Sequence, residues 1–217
     1  MFPSRALRTL TRLSPLRSRS ASLGLAVLAP ASLLVSLCFA GSAQAALIST
    51  GACSDASLSQ PFLQWGDTSS YELVPGGDFE GSLSGWSLSG GAQPLAGGEP
   101  YEPVGSARSL ALPAGASAQS PFVCVNASYP SFRFFARDRG LTSTVLVQVV
   151  YATALGQVAL PLGVVALSGA WEPTLPMLTG SLAGGLLSGG TAQLALRFTA
   201  LGGSSDIDDV YVDPRMK

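Results

Sequence analysis

The apolar segments of this chain are short, and none of them keeps the spacing of an amphipathic helix. They are rich in β-branched and aromatic residues, and clusters of Gly, Ser and Pro separate them, which is typical of β-strands. Because no helix is predicted between the strands, the pattern favours an all-β fold, an antiparallel β-sandwich or jelly roll. The predicted strands are FRFFA (132–136), VLVQVVY (145–151), VALPLGVV (158–165), QLALRFTA (193–200) and IDDVYV (207–212).

Alternation along a strand predicts which side chains face the core, since successive residues point to opposite sides of a sheet. VLVQVVY is apolar on both sides, so this strand should be covered on both faces or line a groove. LTGSLAGGLLSGG (178–190) has leucines at loosely helical spacing, but its many glycines make it a poor helix, and a long loop is predicted. The clearest core faces are Phe132, Phe134 and Ala136 in one strand and Leu194, Leu196 and Phe198 in another.

The first 45 residues have the layout of a secretory signal peptide. Five arginines precede the apolar stretch ASLGLAVLAPASLLVSLCFA, and Ala43-Gln44-Ala45 offers the small residues of a cleavage site. A retained membrane helix is the alternative, but Pro30 interrupts the stretch and the cleavage site follows at once. We therefore expect a secreted, extracellular protein that begins near Ala46 and has no stable membrane insertion.

The net charge of the mature chain indicates which classes of partner it could bind, and its cysteines predict a disulfide. Cleavage removes five of the twelve basic residues and none of the thirteen acidic ones, which leaves a net charge near −6 and argues against nucleic acid as a partner. The mature chain keeps two cysteines, Cys53 and Cys124, and an oxidising compartment favours a disulfide between them. A zinc site is the rival interpretation, but the chain has no histidine to complete it.

Four segments are expected in the chain: the signal peptide at 1–45, a turn-rich lead-in at 46–70, the β-sandwich at 71–213 and a tail at 214–217. The lead-in is polar except for one apolar knot, Pro61-Phe62-Leu63 with Trp65. We expect it to pack along the sandwich, where the disulfide would hold it.

Two tight clusters of carboxylates lie near the ends of the predicted sandwich. The first is in GGDFE (76–80) and the second is in DIDDV (206–210). Calcium takes six to eight oxygen ligands from carboxylates, carbonyls and water. The clusters therefore indicate either a cation site that joins the two ends or ordinary solvated strand ends.

Both clusters also carry a family resemblance. LVPGGDFEGSLSGW resembles the opening of jelly-roll carbohydrate-binding modules in the galactose-binding-like superfamily, which often begin N-G-D-F-E followed by G-W. DIDDVYV is similar to the last strand of the same modules. The resemblance covers residues 71–213, and it implies a structural calcium ion between the first and last strands. The implied ligands are Glu80 and Asp208, with Asp78 and Asp209 nearby, and Gly76 stands where the family often has Asn.

The resemblance also bears on the aromatic residues. Trp86 and Trp171 match positions of core aromatics in the family, so neither is expected to stack on a sugar. Aromatic residues left for an exposed surface are Tyr101, Tyr129, Tyr151 and Trp65. The predicted ligand-binding residues are an outward polar row, Arg133, Gln148 and Arg197, together with Tyr151; a solvated sheet face is the alternative.

Catalysis is the least favoured of three function classes. The chain has no histidine for general acid–base work, and its cysteines are expected to be paired. A non-catalytic binding module for a glycan or cell-surface polysaccharide fits the motifs. A structural or adhesion component of a bacterial cell envelope, with no small-molecule ligand, is the alternative.

Overall fold

The computed structural model describes residues 57–101, 106–126, 131–140, 142–153, 155–179 and 191–214. All of them belong to one compact unit, Ala43–Lys217. The predicted signal peptide, most of the 178–190 loop and the last three residues of the tail lie outside the described residues. The described part of the chain contains no helix that could span a bilayer.

The described residues form thirteen antiparallel strands and a single 3-10 turn, Leu63–Trp65, so the predicted all-β sandwich is confirmed. All five predicted strands are present. The strands are β1 (Glu72–Leu73), β2 (Ser87–Ser89), β3 (Gln93–Ala96), β4 (Arg108–Leu112), β5 (Ser117–Gln119), β6 (Val123–Asn126), β7 (Ser131–Asp138), β8 (Thr144–Thr153), β9 (Gly156–Ala166), β10 (Glu172–Pro173), β11 (Met177–Leu178), β12 (Thr191–Gly202) and β13 (Ser205–Asp213).

Two sheets make the sandwich. The seven-stranded sheet has the order β10-β7-β13-β4-β3, with β1 also paired to β13 and β11 also paired to β7. The six-stranded sheet has the order β2-β5-β12-β8-β9, with β6 also paired to β12. The long strands β7 and β13 therefore lie in one sheet, and β8 and β12 lie in the other.

The main core lies between the sheets and is built by the faces that alternation predicts. β7 contributes Phe132, Phe134 and Ala136, while β12 contributes Leu194, Leu196 and Phe198. Phe134 and Phe198 meet edge-to-face across the sheets with ring centroids 5.0 Å apart. Trp86 and Phe79 of the opening motif pack into the same core.

A second apolar cluster covers the outer face of the seven-stranded sheet. Phe62 from the lead-in is fully buried there against Phe135, Tyr211 and Tyr71. The lead-in is further tied to the sheet by an isolated bridge between Ser59 and Tyr71. Its described part therefore packs along the sandwich, as the apolar knot in its sequence predicts.

The buried ion pair Arg133–Asp67 fixes the lead-in on this face. Arg133 Nη1 donates to Asp67 Oδ2 at 2.8 Å, and Arg133 Nε donates to the carbonyl of Thr174. The guanidinium also lies 4.2 Å from the centroid of the Phe62 ring. Burial acts to raise the pKa of Asp67, but hydrogen bonds from Tyr71, Ser69 and Arg133 outweigh it and lower the pKa.

Candidate functional site

The opening and closing motifs are joined by main-chain hydrogen bonds. The N–H of Val210 donates to the carbonyl of Gly77 at 3.0 Å, and the N–H of Val74 donates to the carbonyl of Val210 at 2.9 Å. β1 extends the contact by pairing with β13, with Glu72 opposite Val212. The two carboxylate clusters therefore lie at one place in the fold.

Two glycines allow this junction to close. Gly76 has a φ of +67°, and a Cβ there would lie 3.0 Å from the carbonyl oxygen of Ser82. Glycine adopts this left-handed region without a steric cost, and Asn is among the few other residues that tolerate it. A Cβ on Gly77 would lie 3.0 Å from the carbonyl oxygen of Val210, so only glycine permits this approach of β13 without a backbone shift.

Glu80 and Asp208 converge on residues 106–108, which lead into β4. Glu80 Oε1 accepts hydrogen bonds from the N–H groups of Ala107 and Arg108, both at 2.6 Å. Asp208 Oδ2 accepts a hydrogen bond from the Ser106 hydroxyl at 2.7 Å. Each predicted calcium ligand therefore uses one carboxylate oxygen to hold the same short segment.

Glu99 is a member of this cluster that the sequence analysis missed. It is 1% exposed, and its N–H donates to Asp208 Oδ2 at 2.9 Å. Its own Oε2 accepts a hydrogen bond from the N–H of Tyr101. The residue lies in a Gly- and Pro-rich stretch without strand alternation, so no sequence signal indicated that it would be buried beside the closing motif.

Asp209 completes the cluster in a strained and buried position. Its φ is +45°, beside the register shift between Asp208 and Tyr211 where β13 pairs with β7. The residue is 1% exposed, and its Oδ2 has no hydrogen-bond partner among the described residues. An orphaned carboxylate oxygen is costly in such a site unless a cation or a proton neutralises it.

The electrostatics reflect this crowding of carboxylates. Burial, followed by the charges of Asp208, Glu99, Asp78 and Glu80, raises the pKa of Asp209 to about 8. Burial raises the pKa of Asp208 to about 7, although hydrogen bonds from Glu99 and Ser106 oppose the shift. Carboxylates are among the oxygen ligands that calcium takes. Within the described ranges, however, no three His, Cys, Asp or Glu side chains already form a metal-binding group.

A polar groove lies elsewhere, on the outer face of the six-stranded sheet. It has a volume of about 410 Å³ and crosses β2, β5, β12 and β8. The strand registers arrange its side chains in two rows, because residues directly opposite one another on antiparallel strands point to the same face. The first row is Ser87, Gln119, Arg197 and Gln148, and the second is Ser89, Ser117 and Thr199.

Arg197 is the cation of this groove, and Gln119 positions it. Both Nε and Nη2 of Arg197 donate to Gln119 Oε1, at 3.1 Å and 2.7 Å. Gln119 Nε2 in turn donates to Gln157 Oε1 on β9 at 3.2 Å. Since β12 and β8 lie between β5 and β9, this last contact requires the sheet to curve toward its outer face. The groove is therefore concave.

The three residues of the predicted ligand-binding row do not lie together in the structure. Gln148 and Arg197 lie directly opposite each other and both line the groove. Arg133, by contrast, lies on β7 in the other sheet and is 5% exposed in its ion pair with Asp67, so its assignment to the row is wrong. Alternation shows only which side of a strand a residue occupies, and the order of strands in the sheets decided this case.

Tyr151 was also assigned to the ligand site, and that assignment is wrong. The side chain is 2% exposed in the main core, and its hydroxyl donates to the carbonyl of Thr179 at 3.3 Å. It shares its strand face with Val145, Val147 and Val149, so the alternation in β8 places it inward. Burial raises its pKa to about 12.

The remaining aromatic residues do not line the groove. Trp86 and Trp171 are buried, as predicted, in the main core and in the second cluster. Trp65 and Tyr101 meet edge-to-face at 5.0 Å beside Phe135, and the Tyr101 hydroxyl donates to the carbonyl of Trp171. These two partly exposed rings belong to the lead-in side of the sandwich. Tyr129 lies outside the described residues.

No protein-family model and no curated protein matches the chain. Solved structures do match, at low identity. The N-terminal xylanase 10B of Clostridium thermocellum, solved as CBM22-1 and GH10 modules with xylohexaose, is 16% identical with a TM-score of 0.47. That match covers 64% of this chain and 28% of the Clostridium chain, so it spans little more than a quarter of that protein.

Two isolated domains also match. The CBM22-1 xylan-binding domain of Paenibacillus barcinonensis Xyn10C is 12% identical with a TM-score of 0.45, over 64% of this chain and 91% of that one. The C-terminal family 22 carbohydrate-binding module of Clostridium thermocellum Xyn10B is 16% identical with a TM-score of 0.44, over 68% and 96%. The chain resembles these modules in fold.

Proposed function

We propose that the protein is a non-catalytic carbohydrate-binding module that holds a glycan in the polar groove of the six-stranded sheet. One observation carries the proposal: two rows of hydrogen-bonding side chains lie side by side across a concave face. Ligand sites are concave and have a few convergent polar groups that fix orientation. The rows of Ser, Thr, Gln and Arg side chains match the hydroxyl groups of a sugar chain.

The dimensions of the groove suit an extended oligosaccharide. Four strands contribute to the row of Ser87, Gln119, Arg197 and Gln148. Neighbouring strands lie roughly 4.8 Å apart, so the row is about 14 Å long. No aromatic side chain of the described residues lines the groove, so hydrogen bonding rather than ring stacking would select the ligand.

Glycan binding can be tested with the mature protein on a glycan array and then by calorimetry with xylohexaose and other oligosaccharides. Gln148→Ala should weaken binding of any positive glycan by about threefold to tenfold, since it removes one or two hydrogen bonds. Gln193→Ala is the matched control, because Gln193 lies on the same outer face but outside the groove. Absence of binding to every glycan would favour the structural or adhesion alternative.

A structural calcium ion at the carboxylate cluster is the second part of the proposal. Glu80, Asp208, Asp78 and Asp209 are the proposed ligands, and Glu99 is an additional candidate. The orphaned Oδ2 of buried Asp209 supports a cation there, and carboxylate oxygens are the ligands that calcium prefers. The ion would join the opening motif to the last strand, so its role would be stability rather than ligand contact.

Export and disulfide formation are proposed on the sequence alone. The protein would be secreted after cleavage near Ala46, and intact-mass measurement of the exported protein tests the cleavage position. Cys124 is half-buried on β6, whereas its proposed partner Cys53 lies outside the described residues. The pairing therefore remains a prediction.

A further inference from the structure

The charge of the groove indicates which glycans it would select. We propose that the groove prefers an acidic saccharide, in which a carboxylate such as that of a uronic acid unit binds to Arg197. This inference rests on the proposed glycan-binding function and adds the chemical class of the ligand. It starts from a cation that no carboxylate of the described residues neutralises.

Arg197 differs in this respect from Arg133, Arg137 and Arg139. Arg133 pairs with Asp67, and Arg137 and Arg139 both contact Asp206. The described residues that line the groove are Ser, Thr, Gln, Leu and Arg, and none of them is acidic. Arg197 thus presents a positive charge in a neutral cavity, which is the electrostatic complement of an anion.

The orientation of the guanidinium leaves donors for such a ligand. A guanidinium carries five N–H donors in a rigid fork, and Gln119 accepts from Nε and from Nη2 of Arg197. The two N–H groups of Nη1 and the second N–H of Nη2 have no partner among the described residues. Donors on two adjacent nitrogens match the two oxygens of a carboxylate.

Polar side chains next to Arg197 could bind the hydroxyl groups of the same saccharide. Gln148 lies directly opposite Arg197 on β8, and Thr199, two residues along β12, contacts Ser117 through its hydroxyl at 3.2 Å. These neutral groups offer donors and acceptors to sugar hydroxyls on either side of the carboxylate. A bare anion would use Arg197 alone, whereas an acidic sugar would use both rows.

The experiment compares two oligosaccharides with one backbone: xylotetraose and the same tetraose carrying a single glucuronic acid branch. Calorimetry with the mature protein should show about tenfold or greater preference for the acidic oligosaccharide, as expected for a charge-assisted hydrogen-bonded contact. Raising the salt concentration should reduce this preference. Free glucuronate is the third probe, and it should bind more weakly than the branched oligosaccharide.

Variants of Arg197 test whether this residue causes the preference for the acidic oligosaccharide. Arg197→Gln should lower affinity for the acidic oligosaccharide by about 10- to 100-fold and affinity for xylotetraose by less than about threefold. Arg197→Lys keeps the charge and should retain a measurable acidic preference. Gln193→Ala should change neither affinity, and melting temperatures should verify that each variant is folded.

The outcomes separate this inference from the proposed function. Equal affinity for the two oligosaccharides, both weakened by Gln148→Ala, would overturn the acidic preference and leave the glycan groove in place. Acidic binding that survives Arg197→Gln would place the anion at another site and overturn the inference. No binding of any glycan would overturn the proposed function, and the inference with it.

Discussion

Glu80 and Asp208 are far apart in the sequence, yet both accept hydrogen bonds from residues 106–108, which lead into β4. Glu80 holds the N–H groups of Ala107 and Arg108, and Asp208 holds the hydroxyl of Ser106. Two carboxylates held at the same segment repel each other unless a cation or a proton neutralises their charge. The carboxylate of Asp209 is buried beside them and adds to this repulsion. This relationship motivates the first two predictions.

Calcium should stabilise the folded protein, because the proposed ion binds only the native arrangement of the cluster. At a hundredfold excess of calcium over its dissociation constant, the free energy of unfolding should rise by about 2.7 kcal/mol. Thermal melts in calcium and then in chelator measure the effect. Asp209→Asn should abolish the calcium response, whereas an identical midpoint in calcium and chelator for the parent protein would contradict the site.

In chelator, stability should increase as the pH falls from about 9 to about 6. The folded-state pKa values of Asp208 and Asp209, about 7 and about 8, lie above the ordinary aspartate pKa of 3.8. A carboxyl group whose pKa is raised by folding stabilises the native state when protonated, and this contribution is lost as the pH rises through the folded pKa. Urea titrations at several pH values test this, with calcium as the condition that should flatten the trend. A flat pH profile in chelator would contradict the prediction.

Phe62 should contribute to stability far more than its neighbour Leu63. Phe62 is fully buried among three aromatic rings, whereas Leu63 is 53% exposed. Phe62→Ala should lower the free energy of unfolding by about 3–5 kcal/mol, and Leu63→Ala should change it by less than about 0.5 kcal/mol. Urea denaturation of the two variants measures the difference; similar values would mean that the lead-in is not part of the folded domain.

Removal of one partner of the Arg133–Asp67 pair should be costly. The side chains are 6% and 14% exposed, so Asp67→Ala leaves a buried guanidinium without its carboxylate. We expect a loss of about 3–5 kcal/mol in the free energy of unfolding. Arg139→Ala is the control, since its 3.5 Å contact with Asp206 is partly exposed and should contribute about 1 kcal/mol or less. A loss no larger for Asp67→Ala than for this control would contradict the role of the pair.

The mature protein should contain no free thiol if Cys53 and Cys124 pair. Closing a long loop with a disulfide stabilises by roughly 3–4 kcal/mol in the chain-entropy model, so reductant should lower the melting temperature. Alkylation under denaturing conditions without reductant, followed by mass measurement, tests the pairing. Modification of two cysteines would refute it.

Sequence patterns predicted the strands and their core faces because burial follows the two-residue period of a strand. The clearest example is β7, where Phe132 and Phe134 enter the main core and Phe135 faces the lead-in. The motifs likewise indicated that the two ends of the domain meet, which the hydrogen bonds between Gly77 and Val210 bear out. Residue patterns within short segments were therefore sufficient to predict the core faces of the strands and the contact between the two ends of the domain.

Features that depend on strand order were not predictable in this way. Arg133 and Arg197 have the same alternation signal, yet one lies under the lead-in and the other lines the groove. Glu99 reaches the carboxylate cluster through a stretch with no periodicity. Ser87, Gln119 and Arg197 form a row only because β2, β5 and β12 are neighbours in the sheet.

The lead-in has a consequence for the valency of the domain. Phe62 and its neighbours cover the central strands β7 and β13 on the outside of the seven-stranded sheet, whereas the polar groove lies on the six-stranded sheet. A glycan chain in the groove would therefore bind on the face of the sandwich that lies away from the lead-in. If the groove binds a glycan as proposed, a single copy offers that one site to a polysaccharide, so cross-linking two polysaccharide chains through the groove would require a second copy.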